Sequence, residues 1–291
     1  MIPDNKLLLD VGGTFIKCSD GRSIPIDSAG SREDIVSSLR LAVGDVTRFE
    51  RICVAIPGPF DYENGVFKMK HKFAAVYDEN FADIVSAAAD TPSLTERMGY
   101  ARSGEYAAKF RYIHDVNCML LGEMNFGEGR GCGNVAMVAL GTGLGFSMCV
   151  GGKLLKNDFG SPLVSIFNRP FRGGVLEDYA SKRGVLRLYG EALGTDVPGG
   201  MTVKQIADKA HAGEPAATAA FSAMGAIIGE SIAPMLEEYG IQKLLLGGQI
   251  SRSADLFVPA MMEKLAGVKT LVKVCPISDF DNATFNGLKA L

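Results

Sequence analysis

The sequence has few of the residues that usually build metal sites and disulfide frameworks. Its 291 residues include six cysteines and three histidines. The cysteines are scattered, and none belongs to a Cys-x-x-Cys pair or to a cluster with metal-ligand spacing. We therefore expect reduced thiols in a cytoplasmic protein rather than disulfide bonds.

A basic surplus and a long hydrophobic run are also missing. The formal net charge is −3, whereas nucleic-acid-binding domains usually carry a basic surface. The segment before the first apolar run is only six residues long and largely polar, which is not typical of a signal peptide. The most apolar window, residues 135–150, contains three glycines and is shorter than the roughly 20 residues of a membrane-spanning helix. We expect neither a nucleic-acid partner nor a membrane partner.

Three glycine-containing turns follow apolar segments of strand length. They are Asp10–Thr14, Gly141–Gly143 and Gly247–Gly248. Glycine permits a positive φ and lets backbone N–H groups approach phosphate oxygens closely. Each turn by itself is more typical of an ordinary hairpin or strand exit. Their order along the chain, with His114–Asn117 between the first two, favours a protein that transfers a phosphoryl group from ATP.

The residue types in these motifs suggest separate roles in that chemistry. Asp10 is the predicted Mg2+ ligand, directly or through water. Asp115 ends a predicted strand without a nearby basic partner, which suits a general base. On its own, Asp115 is more typical of a helix cap, a role that Asn117 also fits. The predicted ATP-binding residues are Asp10, Gly12, Gly13, Thr14, Lys17, Gly141, Thr142, Gly143, Gly247 and Gly248, the last two leaving space for adenine or ribose.

Strand patterns alternate with helix patterns along the chain, which is typical of an α/β protein. The strand, glycine turn and strand of residues 135–150 repeat the plan of the opening residues, so we expect two related halves. The predicted strands are 7–10, 15–19, 51–56, 110–113, 135–140, 146–150, 242–246 and 271–275. The predicted helices follow Ser31 and lie at 80–89, 117–125, 174–192, 202–211, 215–239, 254–265 and 282–291.

As a set, these motifs resemble the ROK family of repressors, open-reading-frame proteins and sugar kinases. Further matching segments are 56–59, 121–123, 152–154 and 174–181. The resemblance runs from residue 6 to the C-terminus and implies a duplicated actin-like ATPase (ribonuclease H-like) fold. It implies a small domain of residues 1–114, completed by a helix at 281–291, and a larger domain of residues 115–280. ATP and a sugar would bind in a central cleft.

The sequence departs from the family pattern on the acceptor side. The segment 167–175, where the family carries a zinc site, holds no cysteine or histidine, so we expect no zinc. The family's Gly-Glu-x-Gly-His sugar motif is replaced after Gly160 by Ser161 and apolar residues. Histidines stand at or near two positions where the family usually has asparagine. The resemblance implies acceptor contacts from Gly58, His71, His114 and Glu177, and for His71 a plain surface position is an equal alternative.

The motifs and the resemblance favour an ATP-dependent, glucokinase-like kinase that phosphorylates a sugar or a sugar-like polyol. A non-catalytic sensor of sugars or nucleotides on the same fold is the alternative, and a hydrolase or chaperone-type ATPase is a third. The sequence has no helix-turn-helix segment before Leu7, which argues against the repressor branch. The resemblance also implies a homodimer, and the apolar helix at 215–239 has more apolar residues than a lone surface helix needs.

Overall fold

The structure is a computed structural model that describes residues 5–86 and 106–291. It divides into two compact units. Unit 1 contains the chain up to Gly122 together with Lys156–Ser161 and Thr284–Leu291, and unit 2 contains Glu123–Leu155 and Pro162–Ala283. The sequence predicts a boundary at residue 114. The structure instead keeps most of the following helix, and a short segment from the middle of the chain, in unit 1.

Fourteen strands and eight α-helices lie in the described residues. The strands are β1 (Lys6–Val11), β2 (Phe15–Cys18), β3 (Ser23–Pro25), β4 (Arg51–Ile56), β5 (Phe60–Asp61), β6 (Val66–Phe67), β7 (Phe110–His114), β8 (Val135–Leu140), β9 (Leu144–Val150), β10 (Lys153–Leu154), β11 (Pro170–Phe171), β12 (Gly174–Val175), β13 (Lys243–Gly247) and β14 (Lys273–Pro276). The helices are α1 (Arg32–Val43), α2 (Phe81–Ser86), α3 (Asp115–Phe126), α4 (Lys182–Leu193), α5 (Val203–His211), α6 (Pro215–Glu238), α7 (Val258–Leu265) and α8 (Ala283–Lys289).

Unit 1 is built on a five-stranded sheet with the order β3-β2-β1-β4-β7. Strand β1 is antiparallel to β2 and parallel to β4, and β4 is parallel to β7. The central strands β1 and β4 are almost continuously apolar because they are buried, which is expected of parallel strands covered on both faces. Helix α1 begins at Ser31, whose side chain accepts a hydrogen bond from the N–H of Asp34, and it buries Ile35 and Leu39.

Unit 2 repeats the same plan. Its sheet has the order β10-β9-β8-β13-β14. Strand β8 is antiparallel to β9 and parallel to β13, which is parallel to β14. Strand order and direction therefore match those of unit 1 strand for strand. The predicted fold class, a duplicated α/β fold of the actin-like kind, is confirmed.

Helix α6 passes through the core of unit 2. Its glycines Gly225 and Gly229 allow close packing. A Cβ on Gly225 would lie 2.0 Å from the carbonyl oxygen of Phe257, and a Cβ on Gly229 would lie 2.7 Å from that of Met261. By length and composition α6 could cross a membrane, but a buried core helix has the same properties. The apolar residues that suggested a dimer surface are buried in this core, so α6 does not support that expectation: Ala217, Ala220, Met224, Ile227, Ile228 and Ile232.

Two predicted helices differ from the observed elements. The first part of the predicted helix 174–192 is not α-helical. It consists of strand β12 and a 3-10 turn (Leu176–Asp178), and α4 begins only at Lys182. The predicted helix 254–265 is interrupted at Phe257, whose φ of −126° is not helical. The residues before it belong to a 3-10 segment (Gln249–Leu256), and α7 begins only at Val258. The end of the predicted helix 80–89 lies outside the described residues.

Candidate active site

The turn after β1 presents two backbone donors. Asp10 pairs in register with Lys17 across the β1–β2 hairpin. The N–H of Gly12 donates to the carbonyl oxygen of Phe15 at 2.9 Å, and the carbonyl oxygens of Gly13 and Thr14 accept from the following segment. In the described part of the chain, the N–H groups of Gly13 and Thr14 donate to no protein group. They are therefore available to an anion, as a phosphate-binding turn requires.

The turn after β8 in unit 2 has the corresponding arrangement. The N–H of Gly141 donates to the carbonyl oxygen of Gly143 at 3.0 Å, and its own carbonyl oxygen accepts from the N–H of Lys182 at 2.8 Å. Within residues 5–86 and 106–291, no protein group accepts from the N–H of Thr142 or Gly143. Each half of the molecule thus carries one hairpin with two free donors.

Of the two reasons expected for the glycines at these turns, a positive φ does not apply. Gly12, Gly13, Gly141 and Gly143 are not among the glycines with positive φ. At two of them space is the constraint: a Cβ on Gly12 would lie 3.0 Å from the Phe15 carbonyl oxygen, and one on Gly143 would lie 2.7 Å from Oε2 of Glu177. Close approach, rather than unusual dihedral angles, explains these two glycines.

Gly247 and Gly248 end the neighbouring strand β13. Gly248 has a φ of 80°, and a Cβ there would lie 2.2 Å from the carbonyl oxygen of Leu140. A Cβ on Gly247 would lie 3.5 Å from the sulfur of Met137. The missing side chain of Gly248 therefore lets β13 and β8 approach each other, and it does not leave the open space that the sequence suggested for adenine or ribose. A contact with either group remains a prediction.

Asp115 is the first residue of α3, directly after β7. Its Oδ1 accepts from the N–H of Val116 at 2.7 Å and contacts Nδ1 of His114 at 2.8 Å. The expectation that Asp115 has no basic partner is therefore wrong. Burial would raise the pKa of Asp115, but the charge and hydrogen bond of His114, the Val116 N–H and the charge of Lys72 outweigh it, so the pKa lies below 3.8. The carboxyl group is ionised at neutral pH, and no described residue donates to its Oδ2.

One side of His114 contacts the carboxylate of Asp115, and the other side faces uncharged polar groups. Because Nδ1 is 2.8 Å from a carboxylate oxygen, we assign the proton to Nδ1, which leaves Nε2 as an acceptor in the neutral ring. The Cβ position of Gly58 is 3.3 Å from Cδ2 of His114, 3.3 Å from the Tyr62 hydroxyl and 3.5 Å from Oγ of Ser161. Gly58 and His114, both predicted acceptor contacts, are thus brought together.

Tyr62 and Ser161 are the members of this cluster that sequence reasoning missed. The Tyr62 hydroxyl donates to the carbonyl oxygen of Ile56 at 2.9 Å, and both this hydroxyl and Oγ of Ser161 lie beside the Cβ position of Gly58. Burial raises the pKa of Tyr62 well above 10, and the charge of Asp115 adds to this effect, so Tyr62 stays neutral. No local pattern marks Tyr62, although the loss of the family motif at Ser161 pointed to that segment.

The segment 156–161 is held in unit 1 by backbone contacts. The N–H of Tyr62 donates to the carbonyl oxygen of Phe159 at 2.9 Å, and the side-chain amide of Asn117 donates to that of Gly160 at 3.3 Å. Gly160 has a φ of 85°, and a Cβ there would lie 2.9 Å from the Cβ of Tyr62. These contacts place Ser161 beside Gly58.

His71 and Lys72 lie on an exposed loop of unit 1. His71 makes no hydrogen bond or ion pair with another described residue, so the structure does not place it in contact with Asp115 or His114. Lys72 is close enough for its charge to lower the pKa of Asp115. The basic group that acts on Asp115 from this loop is therefore Lys72, which the sequence did not single out.

Asp10 lies near a second negative charge. Burial and the charge of Asp115 raise the pKa of Asp10 from 3.8 to about 6, and the charge of Lys17 opposes them. Two neighbouring carboxylates, one of them just before the turn with the free N–H donors, form a donor set that suits Mg2+, which usually takes one or two carboxylates together with phosphate oxygens and water. Among the described residues no group of three metal-ligating side chains exists, so the fit depends on phosphate oxygens.

Glu177 is engaged within unit 2. Its Oε2 accepts from the N–H of Leu144 at 2.9 Å, and its Oε1 accepts from Arg183 at 2.8 Å. The side chain is 19% exposed. Both carboxylate oxygens already have protein partners, so the predicted sugar contact would need their remaining lone pairs.

The segment 167–175, where the family carries zinc, forms the β11–β12 hairpin. Phe171 packs edge-on against Tyr179 with ring centroids 5.0 Å apart. The guanidinium groups of Arg172 and Arg187 lie over the Tyr179 ring at 5.9 and 4.3 Å. Aromatic and cation–π contacts hold this hairpin. That the protein binds no zinc remains a prediction.

This chain is similar in sequence to glucokinases of other organisms. The glucokinase of Streptomyces coelicolor is 29% identical over 165 residues, which cover 49% of this chain and 52% of that protein, so the match spans about half the length of that relative. The glucokinase of Thermotoga maritima is 24% identical over 296 residues, covering 91% of this chain and 88% of that protein.

A solved structure extends the similarity to the whole fold. The ROK family glucokinase of Streptomyces griseus, in complex with glucose and AMPPNP, superposes with a TM-score of 0.71 at 21% identity, covering 97% of each chain. The sequence profile of the ROK family matches residues 101–288, which is more than half of this chain. The protein belongs to the ROK family.

Proposed function

We propose that this protein catalyses the ATP-dependent phosphorylation of a hydroxyl group on a sugar or a sugar-like polyol. The observation that carries the proposal is the placement of Asp10, Gly58 and Asp115 in unit 1. Asp10 lies near the carboxyl end of β1, and Gly58 and Asp115 follow β4 and β7. These are neighbouring parallel strands, so all three residues lie at the carboxyl edge of one sheet. Ligand sites of open α/β sheets lie at this edge.

Asp115 would act as the general base. Its Oδ1 is held by His114 and by the Val116 N–H, which fixes the carboxyl group and leaves Oδ2 to accept the proton of the acceptor hydroxyl. Its lowered pKa keeps it ionised at neutral pH, although a lower pKa also makes it a weaker base. Orientation by two partners therefore contributes more here than intrinsic basicity.

Each unit carries a hairpin turn whose N–H groups would bind phosphate oxygens of ATP. Gly13 and Thr14 offer free N–H donors beside Lys17, and the Gly141–Gly143 turn offers the same donors in unit 2. Asp10 would hold Mg2+, which neutralises phosphate charge when it is bound. Since the pKa of Asp10 is raised, a cation is the partner that would make its ionised form favourable.

The acceptor would contact uncharged groups around Gly58. Nε2 of His114 accepts a hydrogen bond in the neutral ring, and the hydroxyls of Ser161 and Tyr62 lie beside it. These groups match the donors and acceptors of a polyol. Ser161 stands at the position where the sugar motif of the family has a glutamate. We therefore do not assign glucose as the acceptor.

An ADP-release screen tests the proposal. Purified protein with Mg2+ and ATP would be assayed against monosaccharides, amino sugars and polyols, with Asp115→Asn as the matched control. We expect release that depends on an acceptor and is lost in the variant. Release without any acceptor, unchanged in the variant, would instead indicate an ATPase.

A non-catalytic sensor is the second candidate, favoured by Ser161 and the rewritten acceptor segment. Saturable sugar or nucleotide binding without turnover on any acceptor would support the sensor and contradict the kinase. A homodimer and a cytoplasmic location are proposals that rest on the family resemblance and the sequence. Light scattering at micromolar concentration tests the dimer, because a mass of 30.9 kDa would identify a monomer.

A further inference from the structure

The Gly141–Gly143 turn of unit 2 is held on both sides by one segment, residues 177–183. On one side the N–H of Lys182 donates to the carbonyl oxygen of Gly141 at 2.8 Å. On the other side Oε2 of Glu177 accepts from the N–H of Leu144, directly after the turn, at 2.9 Å. The two N–H groups between these anchors, those of Thr142 and Gly143, are the donors available to an anion.

Glu177 is itself fixed from two directions. The guanidinium group of Arg183 donates to Oε1 at 2.8 Å, and the Ser181 hydroxyl donates to the Glu177 carbonyl oxygen at 2.7 Å. Arg183 also pairs with Asp178 at 2.9 Å. Both carboxylate oxygens of Glu177 are therefore engaged, one by the Leu144 N–H and the other by Arg183, and 19% of the side chain is exposed.

The turn lies so close to this carboxylate that a side chain at position 143 would displace it. A Cβ on Gly143 would lie 2.7 Å from Oε2 of Glu177, which is shorter than real Cβ contacts allow. The glycine at position 143 is therefore needed for the carboxylate to reach the backbone of the turn. Residues 143 and 177 form one fitted pair, although they lie in different motifs.

We propose that Glu177 is a positioning residue for nucleotide binding: by holding Leu144, it fixes the Gly141–Gly143 turn with the Thr142 and Gly143 donors directed at the ATP phosphates. This inference rests on the proposed function, in which the turn binds ATP, and it differs from the expected contact between Glu177 and a sugar. Losing a hydrogen bond to a charged group would free the turn and weaken nucleotide binding about tenfold.

Glu177→Gln tests the proposal, with Asp178→Asn as the matched control. Glutamine keeps the size of the side chain, but its amide has one oxygen for two donors, Leu144 and Arg183. Asp178 shares the Arg183 ion pair, yet its carboxylate accepts from Val175 and does not contact the turn. Hydrogen exchange at the Leu144 amide should accelerate about tenfold in the first variant and stay unchanged in the second.

Binding of AMPPNP with Mg2+, measured by calorimetry, gives the functional readout. We expect about tenfold weaker binding for Glu177→Gln and wild-type binding for Asp178→Asn. Unchanged AMPPNP affinity in Glu177→Gln, with a raised acceptor KM, would overturn the proposal and return Glu177 to the sugar. If the wild-type protein binds no AMPPNP, the proposed function fails, while Leu144 exchange still shows whether Glu177 holds the turn.

A double-mutant cycle with Gly143→Ala tests the fitted pair. The added methyl group should displace the Glu177 carboxylate, so Gly143→Ala alone weakens AMPPNP binding. In a Glu177→Ala background no carboxylate remains to be displaced, and the same change should add little. Fully additive losses would show that the two residues act independently and would contradict the proposal.

Discussion

Replacing Asp10 with asparagine should stabilise the ligand-free protein at neutral pH, although it removes the proposed Mg2+ ligand. Burial and the charge of Asp115 raise the pKa of Asp10 from 3.8 to about 6. The folded protein therefore pays a free-energy cost to keep Asp10 ionised. Asparagine has nearly the same shape and carries no charge, so the cost disappears while the packing stays.

The magnitude follows from the pKa shift. A rise of about two pKa units, at about 1.4 kcal/mol per unit, corresponds to an upper limit of about 3 kcal/mol. Because Asp10 is partly exposed, solvent reduces this figure, and we expect about 1–2 kcal/mol. At about 2–4 °C per kcal/mol, Tm should rise by about 2–8 °C.

The pH dependence has a definite sign. The unfolded chain loses the Asp10 proton near pH 3.8, whereas the folded chain keeps it to about pH 6. Between these values the stability contributed by protonated Asp10 is lost as pH rises, and above pH 6 the loss is complete. The advantage of Asp10→Asn should therefore be full at pH 8 and smaller at pH 5.

Thermal unfolding of both proteins at pH 5, 6, 7 and 8, without Mg2+ or nucleotide, measures the effect. Asp20→Asn is the control of opposite sign. Burial raises the pKa of Asp20, but the hydrogen bonds and the charge of Arg22 together outweigh burial and lower it, so this variant should lose stability at neutral pH. Addition of Mg2+ with AMPPNP should stabilise wild type more than Asp10→Asn. An equal or lower Tm of Asp10→Asn at pH 8 would refute the reasoning.

Four further outcomes are expected. Asp115→Asn should lower turnover by roughly 10²–10⁴-fold with little change in AMPPNP affinity, and near-wild-type turnover would remove Asp115 from the mechanism. His114 lowers the pKa of Asp115, so His114→Asn should raise it and move the acid limb of kcat/KM to higher pH, whereas coincident limbs would mean that His114 does not control the base. Gly248→Ala should cost about 2 kcal/mol or more, measured by denaturant unfolding, because the Cβ would lie 2.2 Å from the Leu140 carbonyl oxygen at a φ of 80°. Metal analysis of tag-free protein should give well below one zinc per chain, and stoichiometric zinc would contradict this expectation.

Local patterns in the sequence were enough to locate the eight longer strands, the glycine turns and the position of Asp115 after a strand, but not the six strands of two or three residues. The apolar runs of β1, β4, β8 and β13 are short and continuous because these strands are buried, and each is followed by a glycine or by proline and glycine. Ser31 likewise marks the start of α1 through a hydrogen bond within one helical turn. Such features depend on residues that are neighbours in the chain, so the sequence displays them directly.

Tertiary structure alone decided which distant residues meet. Tyr62 and Ser161 lie together beside Gly58, Glu177 accepts a hydrogen bond from Leu144, and Gly248 packs against Leu140. The raised pKa of Asp10 likewise depends on burial and on the charge of Asp115. Nothing in the local sequence encodes these contacts, because each forms only when the packing of the sheets and the paths of the connecting segments bring the partners to within a few ångströms.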